Sequence, residues 1–382
     1  MREVRGDEAL AGELVERMGS RHPVVAAATL SPRGAAVAAV GAPLDADFEI
    51  GSISKGVTGL LYADALERGE IGPATTLGSL LPLGAAPAAG LALSAISTHR
   101  SGLPGLPASA APLRRSLALW LTGANPYGET LDQLIAQARG VRLKRPRPRY
   151  SNFGFELLGH ALAAAAGTSF RDLVRDRIAA PLGLDALHVP STPDELRPGA
   201  LVGTTRSGRA RPPWTGEALG PAGGMRATIG DMARLTAALL DRSAPGVSAL
   251  DPVADFTGRV VRIGAAWITL EHRGRLITWH NGGTGGFRSW LGLDRAAGAG
   301  VILLSATAAP VDRHGFALLA RLTGQEGRQA VNRPAPGRRR RAPQRVTLRK
   351  LILAYSPEGR NAYPHLGWDY EYGRRGARVG GE

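Results

Sequence analysis

The chain has no cysteine among its 382 residues and only three lysines among its 47 basic side chains. Without cysteine there are no disulfides, no thiolate metal site and no sulfur redox chemistry. No metal or cofactor is expected. Long hydrophobic runs are also missing: Gly, Pro, Ser or Arg breaks every apolar stretch well short of 18 residues, which argues against a membrane-spanning helix. Residues 1–20 are charged and lack the apolar centre of a secretory signal. A cytoplasmic location is therefore expected, with export by another route or a missing leader as the alternative. No internal repeat is visible, so a solenoid or propeller is excluded. With 44% apolar residues, the chain can bury a large core as one big domain or two.

The formal charge is +15, but it is unevenly placed. Residues 331–382 carry 12 basic and 4 acidic side chains, more than half of the excess. Arg338 to Arg341 lie among Pro334, Pro336 and Pro343, so residues 326–382 read as a disordered, solvated basic tail. Nucleic acid is not the expected partner, and oligomeric state is not legible. The aromatic end of that tail (Tyr363, Trp368, Tyr370 and Tyr372) has no assigned role.

Pattern along the chain predicts a β-hairpin of residues 24–30 and 35–40 about Ser31-Pro32-Arg33-Gly34. Val57, Leu60, Leu61, Ala65 and Leu66 recur at helical spacing, so a helix should run from Ser52 to about Arg68, with Gly69 as its stop. Helices are expected over 153–166, 170–178 and 231–240, and strands over 261–270, 276–279, 287–293 and 301–305. A last helix follows from about 313 to 322. Residues 1–20 read as a helix or lead-in. Sheet pieces at both ends with helices between predict an α/β plus all-α architecture: an antiparallel sheet built from both termini (about 20–70 and 240–325), with a helical part over about 75–240 inserted.

Scarcity makes one of the lysines informative. Lys55 follows Ser52 by three residues at the start of the predicted helix. An arginine stays charged at any accessible pH, whereas a desolvated lysine can lose its proton and serve as a base for a serine nucleophile. Positions i and i+3 share a helix face, and the helix N-terminus favours a developing oxyanion. A second group is Tyr150-Ser151-Asn152, preceded by Arg142, Lys144, Arg145, Arg147 and Arg149. Nearby cations are expected to favour the tyrosinate, and an asparagine at 152 offers both a donor and an acceptor. A third is Trp279-His280-Asn281-Gly282-Gly283-Thr284-Gly285-Gly286, where glycines at a strand edge allow a ligand close to the backbone. Each has a bland alternative: a surface Ser and Lys, a helix-capping Asn, or a turn.

Taken in order, Ser-x-x-Lys, Tyr-x-Asn and His-x-Gly resemble the serine β-lactamase and penicillin-binding-protein superfamily. Class C β-lactamases, family VIII esterases, D-aminopeptidases and related transacylases are the nearest groups. Residues 96–104, containing Thr98-His99-Arg100-Ser101-Gly102-Leu103, and residues 221–225, Pro-Ala-Gly-Gly-Met, look like two further segments of that family, and the likeness spans about 20–325. The resemblance implies Ser52 as acylated nucleophile, Lys55 as its base or proton relay, and Tyr150 as the base for the second nucleophile. It implies Asn152 as orienting group and the backbone N–H groups of Ser52 and Gly283, beside Gly282, as oxyanion hole. His280 would take the place of the lysine in the family's Lys-Thr-Gly, with His99 and Gly223 structural.

That replacement removes a permanent cation, since a histidine is mostly neutral at pH 7 unless its pKa is raised. Arg288, one strand on, is a candidate substitute. The expected activity is hydrolysis of a small-molecule ester or amide with weak or no β-lactam turnover. Acyl transfer through the same acyl-enzyme, or a β-lactam- or peptide-binding protein without turnover, remain as alternatives.

Overall fold

The computed structural model describes residues 3–106, 125, 130–258, 260–272 and 274–324. The tail from 326, including Arg338 to Arg341 and the four aromatics, lies outside them.

The Ser31–Gly34 turn forms as its sequence predicts. It joins β2 (Val25–Ser31) to β3 (Gly34–Val40), with Ser31 opposite Gly34 and Val25 opposite Val40. Ala26, Ala27, Ala28, Ala38 and Ala39 are fully buried, because both faces of this hairpin are covered. Outside β3 lies β1 (Val4–Gly6), and α1 (Glu8–Met18) follows, its start fixed by Asp7, whose carboxylate accepts from the Leu10 N–H at 2.8 Å.

On the inner side, β2 pairs with a strand from the far end of the chain, β11 (Ala299–Ser305). Beyond it come β10 (Arg288–Asp294), β9 (Arg275–Gly283), β8 (Ile268–His272), β7 (Val261–Ile263) and β6 (Ala254–Thr257), completing a nine-stranded antiparallel sheet. The strand expected over 261–270 is thus two strands. The backbone reverses at Gly264–Trp267 because the helical layer competes for it: Ala265 N–H donates to Ala249 O, and Ala266, at φ 69°, donates to Ser97 O, both at 2.9 Å. The Trp267 indole N–H reaches Gly56 O at 3.2 Å.

Helix α2 (Ile53–Glu67) runs between the sheet and the helical layer, and every residue from Ile53 to Ala65 is buried, the polar Ser54, Lys55, Thr58 and Asp64 included. Two glycines permit this. A Cβ at Gly56 would lie 2.6 Å from the Trp267 ring, and one at Gly59 would lie 2.1 Å from Ala265 O. The helical layer contains α3 (Leu93–Ser97), α4 (Leu131–Arg139), α5 (Asn152–Ala165), α6 (Phe170–Val174), α7 (Ala180–Leu182), α8 (Gly220–Gly223) and α9 (Ile229–Leu240). Where one helix is expected over 170–178, α6 passes into a five-residue π-turn, Arg175–Ala179. The opposite face of the sheet packs against α1 and α10 (Asp312–Leu322) through Trp279, Trp290 and Phe316.

Candidate active site

Ser52 sits at the mouth of α2, 8% exposed, on a turn held from two sides. Ile50 N–H donates to Met225 O at 3.1 Å, and the Ser289 hydroxyl donates to Ile50 O at 2.7 Å. Below them, the fully buried Arg226 guanidinium bonds Asp47 at 2.9 Å and Glu49 at 3.1 Å, tying β5 (Arg226–Ala227) to β4 (Phe48–Glu49). Breaking such a buried pair from one side typically costs about 3–5 kcal/mol, so the turn that carries Ser52 stands on a stiff footing.

Lys55 is completely buried. Its Nζ donates to Ser52 Oγ at 3.2 Å and to the Ala222 carbonyl in α8, and it lies 4.9 Å from the centroid of the Tyr150 ring. The Pro221–Met225 stretch clasps α2 further, since Thr58 Oγ1 donates to Pro221 O at 2.8 Å and Met225 N–H to Ser54 Oγ at 3.3 Å. Burial lowers the Lys55 pKa to about 7, with Glu156 pulling the other way. The amine is therefore partly neutral near pH 7, as a base beside a serine must be.

Tyr150 is half-buried as a residue, but its hydroxyl is enclosed and makes no well-formed hydrogen bond. The sequence reading of a stabilised tyrosinate is corrected here. Burial drives the phenol pKa upward, and the nearby Ser52 hydroxyl offsets only part of that rise. Desolvation outweighs the local cations because Arg145 and Arg147 are exposed, where water screens them. His99 packs on the Tyr150 ring at 4.5 Å and on Phe155 at 4.6 Å, and its Nδ1 accepts from the Ser151 N–H at 3.1 Å. It is a neutral support for the tyrosine.

Period-two alternation decides the rest. On β9 and β10, His280, Gly282, Ser289 and Leu291 face α2, whereas Asn281, Arg288 and Trp290 face α10. Arg288 is accordingly not brought to the site. Its guanidinium donates to Thr284 O at 2.7 Å and Phe287 O at 2.8 Å, and Asp312, itself bonded by Asn281 at 2.7 Å, feels its charge. His280 does reach the site face, 6.4 Å ring to ring from Tyr150. Its Nδ1 contacts Asn281 O at 2.6 Å, which leaves Nε2 as the unprotonated nitrogen, and burial with the Lys55 charge lowers its pKa to about 3. Position 280 therefore supplies no cation.

Gly282 and Gly283 bring a second backbone against Gly51 and Ser52. A Cβ at Gly282 would stand 3.0 Å from Ser52 N, and one at Gly51 would stand 2.5 Å from Gly283 N. Asn152 opens α5, with its N–H on Gly105 O at 2.9 Å, while the hydrogen bonds of Lys55 run to Ser52 and Ala222. One turn further on is a residue that sequence reasoning missed. Glu156 is fully buried, both carboxylate oxygens lack a hydrogen-bond partner, and burial raises its pKa to about 8 against the pull of Lys55. Its signal was a single carboxylate inside the otherwise apolar run that begins at Phe153, four residues after Asn152.

A family model described as Beta-lactamase matches residues 11–325. The chain belongs to that family. The chain is 30% identical over 197 residues to the D-alanyl-D-alanine-carboxypeptidase/endopeptidase AmpH of Escherichia coli K12, covering 50% of this chain and 48% of the relative. It spans about half the length of the curated relatives it matches. Among solved structures, a class C beta lactamase from Rhodobacter sphaeroides superposes with TM-score 0.69 at 21% identity, covering 83% of this chain and 99% of that one. A Beta-Lactamase/D-Alanine Carboxypeptidase from Pseudomonas syringae gives 0.70 at 16%, covering 82% and 98%. The Beta-lactamase fold, a mixed α/β body with a covered antiparallel sheet, is thereby shared. Among the described residues no helix is long and apolar enough to cross a membrane.

Proposed function

We propose that this Beta-lactamase family member is a serine hydrolase that forms an acyl-enzyme on Ser52 with small esters or amides. The observation that carries the reading is the 3.2 Å contact between Ser52 Oγ and a buried amine whose pKa lies near 7. Lys55 Nζ takes the hydroxyl proton as Oγ attacks the carbonyl carbon, and the new oxyanion lies against the N–H groups of Ser52 and Gly283. As the carbonyl re-forms, the bond to the leaving atom breaks, and the proton passes from Lys55 through the Tyr150 hydroxyl to that atom. Water then attacks the acyl carbon and gives its proton to the Tyr150 oxygen, whose own proton passes to Lys55; the acyl bond to Ser52 Oγ breaks as Lys55 returns a proton to that oxygen, with Asn152 steering the substrate carbonyl. A neutral phenol suits this relay better than a resident tyrosinate would.

The hydrolases among similar proteins, AmpH included, support amide or ester cleavage. The absence of a cation at His280, with Arg288 on the other face of the sheet, supports weak or no turnover of β-lactams, whose carboxylate would lack its counter-ion. The test combines a fluorophosphonate probe, a short-chain nitrophenyl ester and nitrocefin. Wild type should label and cleave the ester, Ser52→Ala should do neither, with at least about a 1000-fold loss in rate, and nitrocefin should be turned over slowly or not at all. A Ser52→Ala protein that still cleaves the ester sinks the assignment. Faster acyl release on adding an alcohol or amine would assign acyl transfer.

A further inference from the structure

One feature of the sequence is not used by this chemistry: the cationic stretch just ahead of Tyr150. In the structure Arg100, Lys144, Arg145 and Arg147, with Pro146 and Pro148, line an open groove of about 570 Å³. Four of its six lining side chains are cations and none is acidic. Arg100 is anchored through its guanidinium to the Asp255 carbonyl, while Lys144, Arg145 and Arg147 are exposed and form no ion pair among the described residues.

The groove is pinned at both ends rather than hung on a free loop. Lys144 N–H donates to Gly102 O at 2.9 Å, Arg149 N–H to His99 O at 2.8 Å, and Asn152 N–H to Gly105 O at 2.9 Å. Gly102, at φ 82°, fits there because a Cβ would stand 2.2 Å from the Lys144 carbonyl oxygen. Two prolines restrict the backbone between the cations, so little backbone freedom remains to be lost on binding. Next along the chain is Arg149, whose Nε is buried without a partner, and then Tyr150 itself. His99, which supports the Tyr150 ring, is the neighbour of Arg100.

Location gives the groove its chemistry. The family's anion-binding position is neutral here, and Arg288, its candidate substitute, lies on the other face of the sheet. Positive charge has instead been gathered on the stretch that leads within two residues into Tyr150, which in the proposed mechanism serves the leaving group and the second nucleophile. Planar guanidinium forks match the oxygens of phosphate, and four clustered cations suit a dianion better than a single carboxylate.

We propose that this groove binds a phosphate carried on the leaving-group or acceptor portion of the substrate, so that the enzyme acts on acyl compounds phosphorylated on that side. The proposal rests on the acyl-enzyme reading of Ser52 and deepens it.

The experiment uses the full chain, wild type and the surface variant Lys144→Ala/Arg145→Ala/Arg147→Ala. Matched phenyl acetates bear a para phosphate, carboxylate or methoxy group, and 4-methoxyphenyl succinate places the charge on the acyl side instead. Wild type should prefer the phosphate ester over the methoxy ester, and the succinate should gain nothing. At roughly a twofold to threefold effect per exposed charge, the triple variant should lower that preference about 10-fold, and raised salt should lower it in wild type. An unchanged ratio overturns the proposal, as does an equal or greater preference for the carboxylate or the succinate. Calorimetric titration with inorganic pyrophosphate gives a readout independent of turnover. Binding should be weakened about 10-fold or more in the variant, and equal affinity, or no binding to wild type, overturns the proposal as well. Ser52-dependent hydrolysis of the methoxy ester without selectivity for phosphate removes the groove and leaves the hydrolase. Tight pyrophosphate binding with no acylation of Ser52 removes the hydrolase.

Discussion

Replacing Lys55 by methionine should abolish acylation and yet make the protein more stable at neutral pH. The amine is held in a site that lowers its pKa from 10.5 to about 7. At about 1.4 kcal/mol per unit, a shift of that size corresponds to at most about 5 kcal/mol of unfavourable free energy for folding with the proton on. Methionine fills much of the same space without charge, but it gives up the bonds to Ser52 Oγ and Ala222 O, and the orphaned carbonyl costs about 1–3 kcal/mol. A net gain of about 2 kcal/mol remains at pH 7 and below. The sign depends on pH. Between about 7 and 10.5 the unfolded lysine holds a proton that the folded one has released, so wild-type stability rises with pH through that window. The advantage of Lys55→Met should therefore be greatest at pH 7 or below, shrink as pH rises, and reverse near pH 10, where only the lost hydrogen bonds count. Glu156 is protonated below about 8 and does not disturb the neutral end of the comparison. Guanidinium unfolding of both proteins from pH 6 to 10, followed by the fluorescence of the six tryptophans, measures the difference directly. A difference that is flat with pH, or a variant less stable than wild type at pH 6, would refute the buried, partly neutral amine on which the mechanism depends.

Gly282→Ala should press a methyl group onto Ile50 O and Ser52 N and spread the two backbones. We expect kcat to fall by about 100-fold or more while circular dichroism stays native, and wild-type kcat would contradict the oxyanion assignment. Glu156→Gln tests the carboxyl beside Lys55. A carboxyl with a raised folded pKa favours the folded state below its unfolded value near 4.5, and that contribution fades as pH rises through about 8. The stability of Glu156→Gln relative to wild type should therefore rise across that window, and a constant difference in unfolding midpoint would count against it.

Much of this was legible in the sequence. The helix after Ser52, the Ser31–Gly34 hairpin and the closing strands all carry strong local periodicity or turn chemistry, and the ordered motifs singled out Ser52 and Lys55, which the structure brings to 3.2 Å. Three things were not legible, for physical reasons. Both faces of β9 and β10 are covered, so apolar residues stand on each side, and alternation alone does not say which face holds Arg288. The direction of the Tyr150 shift depends on burial, which its basic sequence neighbours conceal. The split of 261–270 into two strands depends on hydrogen bonds to Ala249 and Ser97, distant in sequence, that no local pattern announces.

Val25 lies opposite Ser305 in the sheet, although 280 positions separate them along the chain. A ribosome must therefore deliver nearly the whole described body before the central pairing can close, and until then β2 offers an unpaired edge. The segment that walls in Ser52 also arrives late, because Trp267, His280 and Ser289 all follow the helical layer. No shortened product ending before β9 can enclose the Ser52 turn, and folding should be slow for a domain of this size because its decisive contact is among its least local.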